Sequence, residues 1–319
     1  VRDLTTLPKA HLHVHLEGAI RPETVAALAG QHHGLDPSPY TDPADFFRRT
    51  ALVRDCLRRP EDFYRAAVEF CEDELAGGSR WVEVMFTAAA HGARLGDRDG
   101  PLRAVLDGLS AVPGLECRVI LDHSRRRPVE WAWTTLELAL RHADRGVVAI
   151  GLAGDEAFPA APFAEVFAAA RAEGVPVVHH AGEFAGPASI REALDQGSVR
   201  LGHGIRALED PSLVARLRDE GIPLEVCPTS NVALTVVPSF AAHPLPRLVE
   251  EGLVVTLNAD TPAMLDTSLV GEFSGVRRVF GYPDEQLAGL ARAGVAASFA
   301  PAATKAALQR EIDAWLAAP

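Results

Sequence analysis

Lysine is almost missing from this 319-residue chain: only Lys9 and Lys305 stand among its 31 basic residues, and the formal charge is −12. A nucleic-acid polymer is gripped by a basic stripe that neutralises its phosphates, and no such stripe is present. The one compact basic run, Arg125-Arg126-Arg127, reads as a solvated rim rather than a phosphate site. Cysteine is also sparse. Cys56, Cys71, Cys117 and Cys227 have no paired spacing, which fits reduced thiols better than a disulfide framework or a structural zinc knuckle. No apolar run is long enough to span a bilayer, and no signal peptide opens the chain. The expectation is a soluble, cytoplasmic protein with neither membrane nor nucleic acid as partner; its oligomeric state is not legible.

What is present is a hydrophobic content of 48%, enough to bury a large core as one barrel or two smaller domains. Short apolar, β-branched runs recur between amphipathic stretches: 11–18, 80–88, 116–124, 147–156, 176–183, 199–205, 223–231 and 254–262. The segments between them have helical spacing, as in PFAEVFAAARAEG (162–174) with its glycine stop. Eight strands alternating with helices predict a closed (β/α)8 barrel, and residues 1–319 are expected to form one such domain. A doubly wound open sheet is the alternative, but no GxGxxG follows the first segment to support it.

About sixty residues separate the first two runs, where a minimal barrel has a single helix. Residues 38–75 read as two or three helices, with Pro43 and Pro60 near helix starts. An insertion there follows the top of the first strand and can fold over the barrel mouth as a lid. Its apolar residues Phe46, Phe47, Leu52, Val53 and Leu57 either line a substrate cavity or pack against neighbouring helices. Residues 263–319 supply the closing helices.

The first run reads HLHVHLEG, with histidines at positions 11, 13 and 15. On a strand these share one face, which makes a metal clamp, unless the segment is simply a partly exposed strand with chance histidines. In an eight-stranded barrel the chemistry sits at the carboxyl ends of strands, and several of these runs end in polar residues. His13 and His15 end the first, His180 and Glu183 the fifth, His203 the sixth and Asp260 the eighth. Three neutral imidazoles and a carboxylate suit a borderline divalent metal, and His13, His15, His180 and Asp260 supply that set.

The segments PKAHLHVHLEGA (8–19), GLAGDE (151–156), HHAGE (179–183), RLGHG (200–204), EVCPTSN (225–231) and LNADTP (257–262) occur in one order along the chain. In that order and spacing they resemble the adenosine deaminases of the amidohydrolase superfamily, nearly end to end. The resemblance implies one zinc ion on His13, His15, His180 and Asp260. It makes Glu183 the proton donor to the ring nitrogen and His203 the residue that orients and deprotonates the nucleophilic water. His15, Glu17, Gly154 and Thr261 become substrate contacts, with Gly154 approaching the purine through its backbone. His11 falls outside the metal set, one pleat deeper, in a structural role.

Physical chemistry supports the same assignments. Zinc brings a bound water near neutrality in pKa, and attack on an aromatic amidine carbon needs the adjacent ring nitrogen protonated. Glu183 can hold that proton if its pocket is dry, or it can be a carboxylate at a helix N-terminus near Ala185 to Ser189. His203 has a core histidine as its alternative. Neighbouring chemistries fit poorly, since neither lysine lies at the fourth strand end to bridge two metals and the P-C-x-x-C motif of pyrimidine deaminases is absent. Cys227 is expected to be packing, as are His32, His33, His91, His142, His179 and His243, each in packing or at the surface. One departure concerns substrate. The family usually carries two aspartates after the last strand, the second on the purine imidazole nitrogen, and here the pair is Asp260-Thr261. Thr50, flanked by Arg48 and Arg49, also stands where a bulky apolar residue is expected in the lid. Adenosine, adenine, a modified nucleoside such as aminodeoxyfutalosine and another amino-heterocycle all remain open as the small-molecule substrate. The reading from a different class is a non-catalytic zinc barrel that binds a ligand or serves as a scaffold.

Overall fold

Strand-forming and helix-forming stretches alternate in space as they do along the chain. The computed structural model describes residues 1–29 and 38–318. Its eight parallel strands pair in sequential order: β1 (Lys9–His15), β2 (Ser79–Phe86), β3 (Glu116–Ser124), β4 (Val147–Ala153), β5 (Val177–Ala181), β6 (Arg200–His203), β7 (Leu224–Val226) and β8 (Val255–Leu257). The His15 N–H donates to the Asp260 carbonyl at 2.7 Å and the Asp260 N–H to the His13 carbonyl at 3.0 Å. Those two bonds join the first strand to the chain just past the last, so the sheet closes as a (β/α)8 barrel.

Three helices occupy the long first connection: α1 (Pro22–Ala29), α2 (Pro43–Cys56) and α3 (Pro60–Ala76). Pro43 and Pro60 stand at helix starts, where a missing N–H breaks no bond, and the Asp42 carboxylate caps α2 by accepting the Asp45 N–H at 2.8 Å. Around the barrel follow α4 (Ala88–Leu95), α5 (Gly100–Ser110), α6 (Val129–Arg141), α7 (Ala164–Ala172), α8 (Pro187–Asp195), α9 (Pro211–Glu220), α10 (Pro228–Ala233) and α11 (Leu245–Glu250). After β8 come α12 (Leu269–Phe280), α13 (Asp284–Ala297) and α14 (Ala302–Ala317). Phe63, Ala67 and Phe70 of α3 pack with Leu102, Val105 and Leu109 of α5 in one core, while Leu12, Leu257, Leu287 and Ile312 belong to a second. Among the described residues no helix is long and apolar enough to cross a membrane. His32 and His33 lie outside the described residues.

Two strand expectations need correction. The seventh and eighth runs are strand for only three residues each, because Pro228 starts α10 immediately and Asp260 breaks the extended backbone with φ 61°. The alternation of His11, His13 and His15 also fails. The register of β1 against β2 slips between His11 and Val14, a bulge, and the N–H groups of Leu12 and His13 both donate to the Asn258 side-chain oxygen, at 2.9 and 3.1 Å. The bulge takes His11 out of the row. Its Nδ1 donates to Glu74 of α3 at 2.9 Å, and its Nε2 accepts the Ala259 N–H at 3.0 Å.

Candidate active site

Four side chains from three strand ends converge inside the barrel mouth. His13 donates from Nδ1 to the Glu225 carboxylate at 2.9 Å, which leaves its buried Nε2 without a partner. His15 Nε2 and His180 Nε2 face each other at 3.1 Å. Asp260 Oδ1 lies 3.5 Å from His15 Nε2 and 3.8 Å from His13 Nε2, while its other oxygen accepts from the Ser230 hydroxyl at 2.6 Å. Ligand atoms of His13, His15 and His180 lie within 4.8 Å of one another. Three imidazole nitrogens aimed at each other with a carboxylate beside them form a poor hydrogen-bond set and a good cation set. The donors suit zinc.

The residues behind this cluster were not legible as site residues. Glu225 reads as one more position in a core strand, yet it joins His13 to the buried Arg200, which donates to Glu225 and to Glu83 at 2.6 Å each. Burial works against the Glu225 charge, but Arg200 and His13 more than offset it, so its pKa falls below the ordinary range. Asp122 of β3 stands 3.5 Å from His15 Nδ1. Its carboxyl is pushed well above the ordinary range, chiefly by burial. Space for it exists because its neighbour across the sheet is Gly151, where a Cβ would fall 2.1 Å from Asp122 Oδ1. Gly202 plays the same part for His13: a Cβ there would meet the ring carbon Cε1 at 2.7 Å. His203 and Asp260 both take the left-handed backbone, at φ 63° and 61°. That conformation costs non-glycine residues on the order of 1–3 kcal/mol, and it occurs here at the two strand ends that must aim side chains inward.

Glu183 and His203 sit beside the cluster. Ligating atoms of Glu183, His203 and Asp260 lie within 4.8 Å of one another, with His203 Nε2 at 3.5 Å from Glu183 Oε2. Burial, then the charges of Asp260 and Glu156, pushes the Glu183 carboxyl well above its ordinary range, which favours its protonated form. Glu183 does not cap α8, and its buried Oε1 has no hydrogen-bond partner; the turn ahead of that helix is held by Glu156. That carboxylate accepts the N–H groups of Gly182, Glu183 and Ala185 at 3.1, 2.9 and 3.0 Å, and so fixes the turn that carries Glu183.

A chain of hydrogen bonds decides which His203 nitrogen carries the proton. The Leu245 backbone N–H donates to His243 Nδ1 at 3.1 Å, and burial depresses the His243 pKa to about 4, so the ring is neutral with its hydrogen on Nε2. That hydrogen goes to the Asn231 oxygen at 3.1 Å. The Asn231 amide then donates to His203 Nδ1 at 3.3 Å, which leaves the His203 hydrogen on Nε2, the side facing Glu183. Burial, and next the nearby His13, lower the His203 pKa to about 3. A neutral ring with Nε2–H is a donor to an oxygen. This tautomer suits the orienting part of the role expected for His203 and not the deprotonating part.

The cavity above these groups measures about 460 Å³ and is lined by His15, Glu17, Gly154, Glu183, His203, Asp260 and Thr261. Glu17 is fixed by Thr87 Oγ1 at 2.5 Å, the Thr87 N–H at 3.1 Å and His91 Nε2 at 3.1 Å. Burial opposes its charge, yet the bonds from His91 and Thr87 bring its pKa to about 2. Gly154 takes φ 94°, where a Cβ would approach the Ser124 hydroxyl at 3.3 Å, and this lets bare backbone face the cavity. Thr261 is buried with its hydroxyl unpartnered, and its methyl packs so closely on Gly18 that a Cβ there would sit 2.3 Å away.

Phe46 and Phe47 of α2 line the cavity, together with Thr50, Ala51 and Arg54. Leu52 is 45% exposed, whereas Val53 and Leu57 are buried in the helical core, so these three do not line it: they lie on other faces of the same helix and its end. Thr50 bonds back to the Phe46 carbonyl at 2.9 Å, and Arg49 pairs with Asp45 at 2.6 Å. Arg125 is not a solvated rim residue. It is buried, donating to the His180 carbonyl at 2.7 Å and the Phe158 carbonyl at 3.1 Å, because the loop after β3 turns it beneath the site. His179 faces away from the cluster, held by Ser198 and Gln196 at 2.9 and 3.1 Å. His142 is held by Asp99 at 2.7 Å.

Comparison with known proteins agrees with this geometry. The family model described as adenosine deaminase matches residues 8–315. The aminodeoxyfutalosine deaminase of Streptomyces coelicolor is 37% identical to this chain, over 98% of the chain and 85% of that protein. The crystal structure of an adenine deaminase from Arthrobacter aurescens superposes with a TM-score of 0.91 at 31% identity, covering 98% of this chain and 99% of that one. An amidohydrolase from Burkholderia ambifaria, solved with bound Zn, gives a TM-score of 0.87 at 26% identity over 98% and 93% of the two chains. Because the match runs from the first strand into the last helix, this chain belongs to the adenosine deaminase family, hydrolases that act on C–N bonds.

Proposed function

We propose that residues 1–319 act as one catalytic barrel domain, a mononuclear zinc aminohydrolase that removes the exocyclic amino group of an aminopurine base, nucleoside or related amino-heterocycle. The observation that carries this reading is the buried Glu183 carboxyl, within 4.8 Å of an oxygen of Asp260 and a nitrogen of His203, in surroundings that favour its protonated form. A structural zinc needs neither an acid nor an oriented imidazole, which argues against the scaffold alternative. His13, His15 and His180 would hold the ion together with Asp260, whose Oδ1 lies 3.5 Å from His15 Nε2 and 3.8 Å from His13 Nε2. Zinc, when bound, makes a water acidic enough to supply hydroxide near neutral pH.

The protein side chains do the rest. His203 Nε2–H orients the attacking oxygen over the amino-bearing carbon. Glu183 gives its proton to the adjacent ring nitrogen as charge builds there, so the ring is neutral once the carbon becomes tetrahedral. The amino group then takes the proton of the new hydroxyl and leaves as ammonia as the C–N bond breaks, so the carbon becomes the lactam carbonyl and the ring nitrogen keeps the proton from Glu183. Gly154 admits the ring edge, and the Thr261 hydroxyl, unpartnered in the cavity wall, offers a hydrogen bond to it. The relatives named for adenine and for aminodeoxyfutalosine support an aminopurine as substrate. The test is a screen for ammonia release over adenine, adenosine, aminodeoxyfutalosine, aminopterins and aminopyrimidines, with metal analysis of the same preparation. Near one zinc per chain and ammonia from an aminopurine are expected. A zinc-loaded protein inert toward every compound favours the scaffold reading.

A further inference from the structure

Besides its reacting pole, the cavity wall contains three arginines: Arg54 from α2, and Arg126 and Arg127 from the loop after β3. None of them ion-pairs with Glu17, Glu183 or Asp260. Arg54 is partly neutralised by Asp55, at 3.0 Å. Arg126 and Arg127 are different. Among the described residues neither has a carboxylate partner within ion-pair distance; each is held by an aromatic face instead. The Arg126 guanidinium lies 5.4 Å from the Phe158 ring centre, and that of Arg127 lies 5.6 Å from Trp131. Stacking fixes a guanidinium without occupying its N–H donors.

The surroundings offset this charge only in part, and through no direct ion pair. Arg127 is depressed below its ordinary range, first by burial and then by the repulsion of Arg54, against a smaller opposing effect of Asp55 and with Arg126 adding to it. Asp155 and Asp42 stand near Arg126, but each carboxylate is turned to a backbone N–H, of Ala157 at 3.0 Å and of Asp45 at 2.8 Å. Arg126 also lines a shallower hollow that continues outward between the lid and Phe184. The main cavity, at about 460 Å³, is of a size that takes ligands larger than a bare base, roughly 300–1,000 Å³ being usual for drug-sized molecules.

We propose that Arg126 and Arg127, with Arg54 beside them, bind an anionic group, a phosphate ester or a carboxylate, carried by the substrate's extension away from the reacting ring. The substrate class is then an anionic aminopurine derivative rather than free adenine or an unsubstituted nucleoside. This rests on the aminopurine reading above. A planar guanidinium pair matches either oxyanion through paired hydrogen bonds, and two donors freed from protein carboxylates give that contact its discrimination.

The test compares kcat/KM for adenosine, adenosine 5′-phosphate and adenosine 5′-carboxylate, using the metal-loaded native chain and its Arg126→Ala/Arg127→Ala double variant. One anion is expected to exceed adenosine by at least about tenfold, with the excess shrinking in high salt and falling to within about threefold in the double variant. Which anion wins separates phosphate from carboxylate. Equal use of neutral and anionic substrates by the native chain overturns the proposal, as does turnover confined to free adenine, or a preference that survives the double substitution. If no aminopurine is turned over, the reading of function fails, and calorimetric titration with inosine 5′-phosphate and 5′-carboxylate against inosine decides the anion site by itself. Tighter binding of either anion by the native chain and not by the variant upholds it; equal binding of all three overturns it.

Discussion

Glu225→Gln probes the support beneath the candidate metal cluster without touching a proposed ligand. The Glu225 carboxylate takes the His13 Nδ1 hydrogen at 2.9 Å and the Arg200 Nε hydrogen at 2.6 Å, one on each oxygen, with all three groups buried. Glutamine keeps the shape but has one acceptor oxygen where two are needed. Its NH2 must face either Arg200, a donor, or His13 Nδ1, which then has to accept and move its hydrogen to Nε2. If the amide faces His13, the nitrogen aimed at the cluster is protonated and no longer a ligand. If it faces Arg200, a buried cation loses one of its two carboxylates and meets an N–H. Either arrangement weakens the site. Partners that orient a metal-bound histidine typically contribute 10–100-fold in affinity, so a loss of about 1.4–2.7 kcal/mol in zinc binding is expected. Chelator competition measures the zinc Kd, and circular dichroism with a melting curve checks the fold. A folded Glu225→Gln protein whose zinc Kd stays within about threefold of the native value would refute the reasoning.

Asp260→Ala removes the one carboxylate from the proposed ligand set while the three imidazoles stay on two rigid strands; the purified variant should be depleted in zinc and inactive but folded, and full metal occupancy would remove Asp260 from the set. Thr261→Asp should raise kcat/KM for adenosine relative to the preferred substrate by a few-fold to about a hundredfold, the range of one recovered hydrogen bond; efficient adenosine turnover by the native chain, with no gain from aspartate, would show that threonine already serves. The neutral His243 supports stability with a definite pH sign. Its folded pKa, about 4, lies below the unfolded value near 6.5, so its contribution is complete above that value and is lost as pH falls through this window, amounting to about 3 kcal/mol in full. Urea unfolding at neutral and acid pH should show a shallower acid loss for His243→Gln than for the native chain, and identical slopes would contradict the assignment.

The parts of the site that could be read in the sequence are those at strand ends, where barrel geometry gives a polar residue one place to go. His13, His15, His180, Glu183, His203 and Asp260 are of this kind, and they meet in the structure. The structural role expected for His11 holds, but the shared face of His11, His13 and His15 does not, because a bulge has no signature in HLHVHLEG; it coincides with an asparagine some 250 residues away that satisfies two successive N–H groups. Asp122, Glu225 and Asn231 were invisible for a different reason. Each lies in a run that reads as core, and what gives it a role is a partner brought beside it by the fold: His15, His13 and His203. Glycines 151 and 202 could have raised suspicion, since a strand interior without a side chain often marks a close approach. The solvated-rim expectation for the RRR run fails for Arg125 and holds for the exposed Arg126, because three adjacent loop residues need not share an environment. Arg125 is buried under His180, while Arg126 and Arg127 line the cavity.

The most direct test of the deaminase reading is the rate of ammonia release from the preferred aminopurine by native and Glu183→Gln proteins loaded with equal zinc. Glu183 lies outside the proposed ligand set, although its carboxyl is within 4.8 Å of Asp260, and this buried carboxyl, pushed well above its ordinary range, is the group proposed to deliver a proton to the ring. The expected result is full zinc content in both proteins and a rate at least about 10²-fold lower in the variant, the lower end of what a general acid contributes. Equal rates at equal zinc content would contradict the assignment of Glu183 as the proton donor and, with it, the mechanism derived from this site.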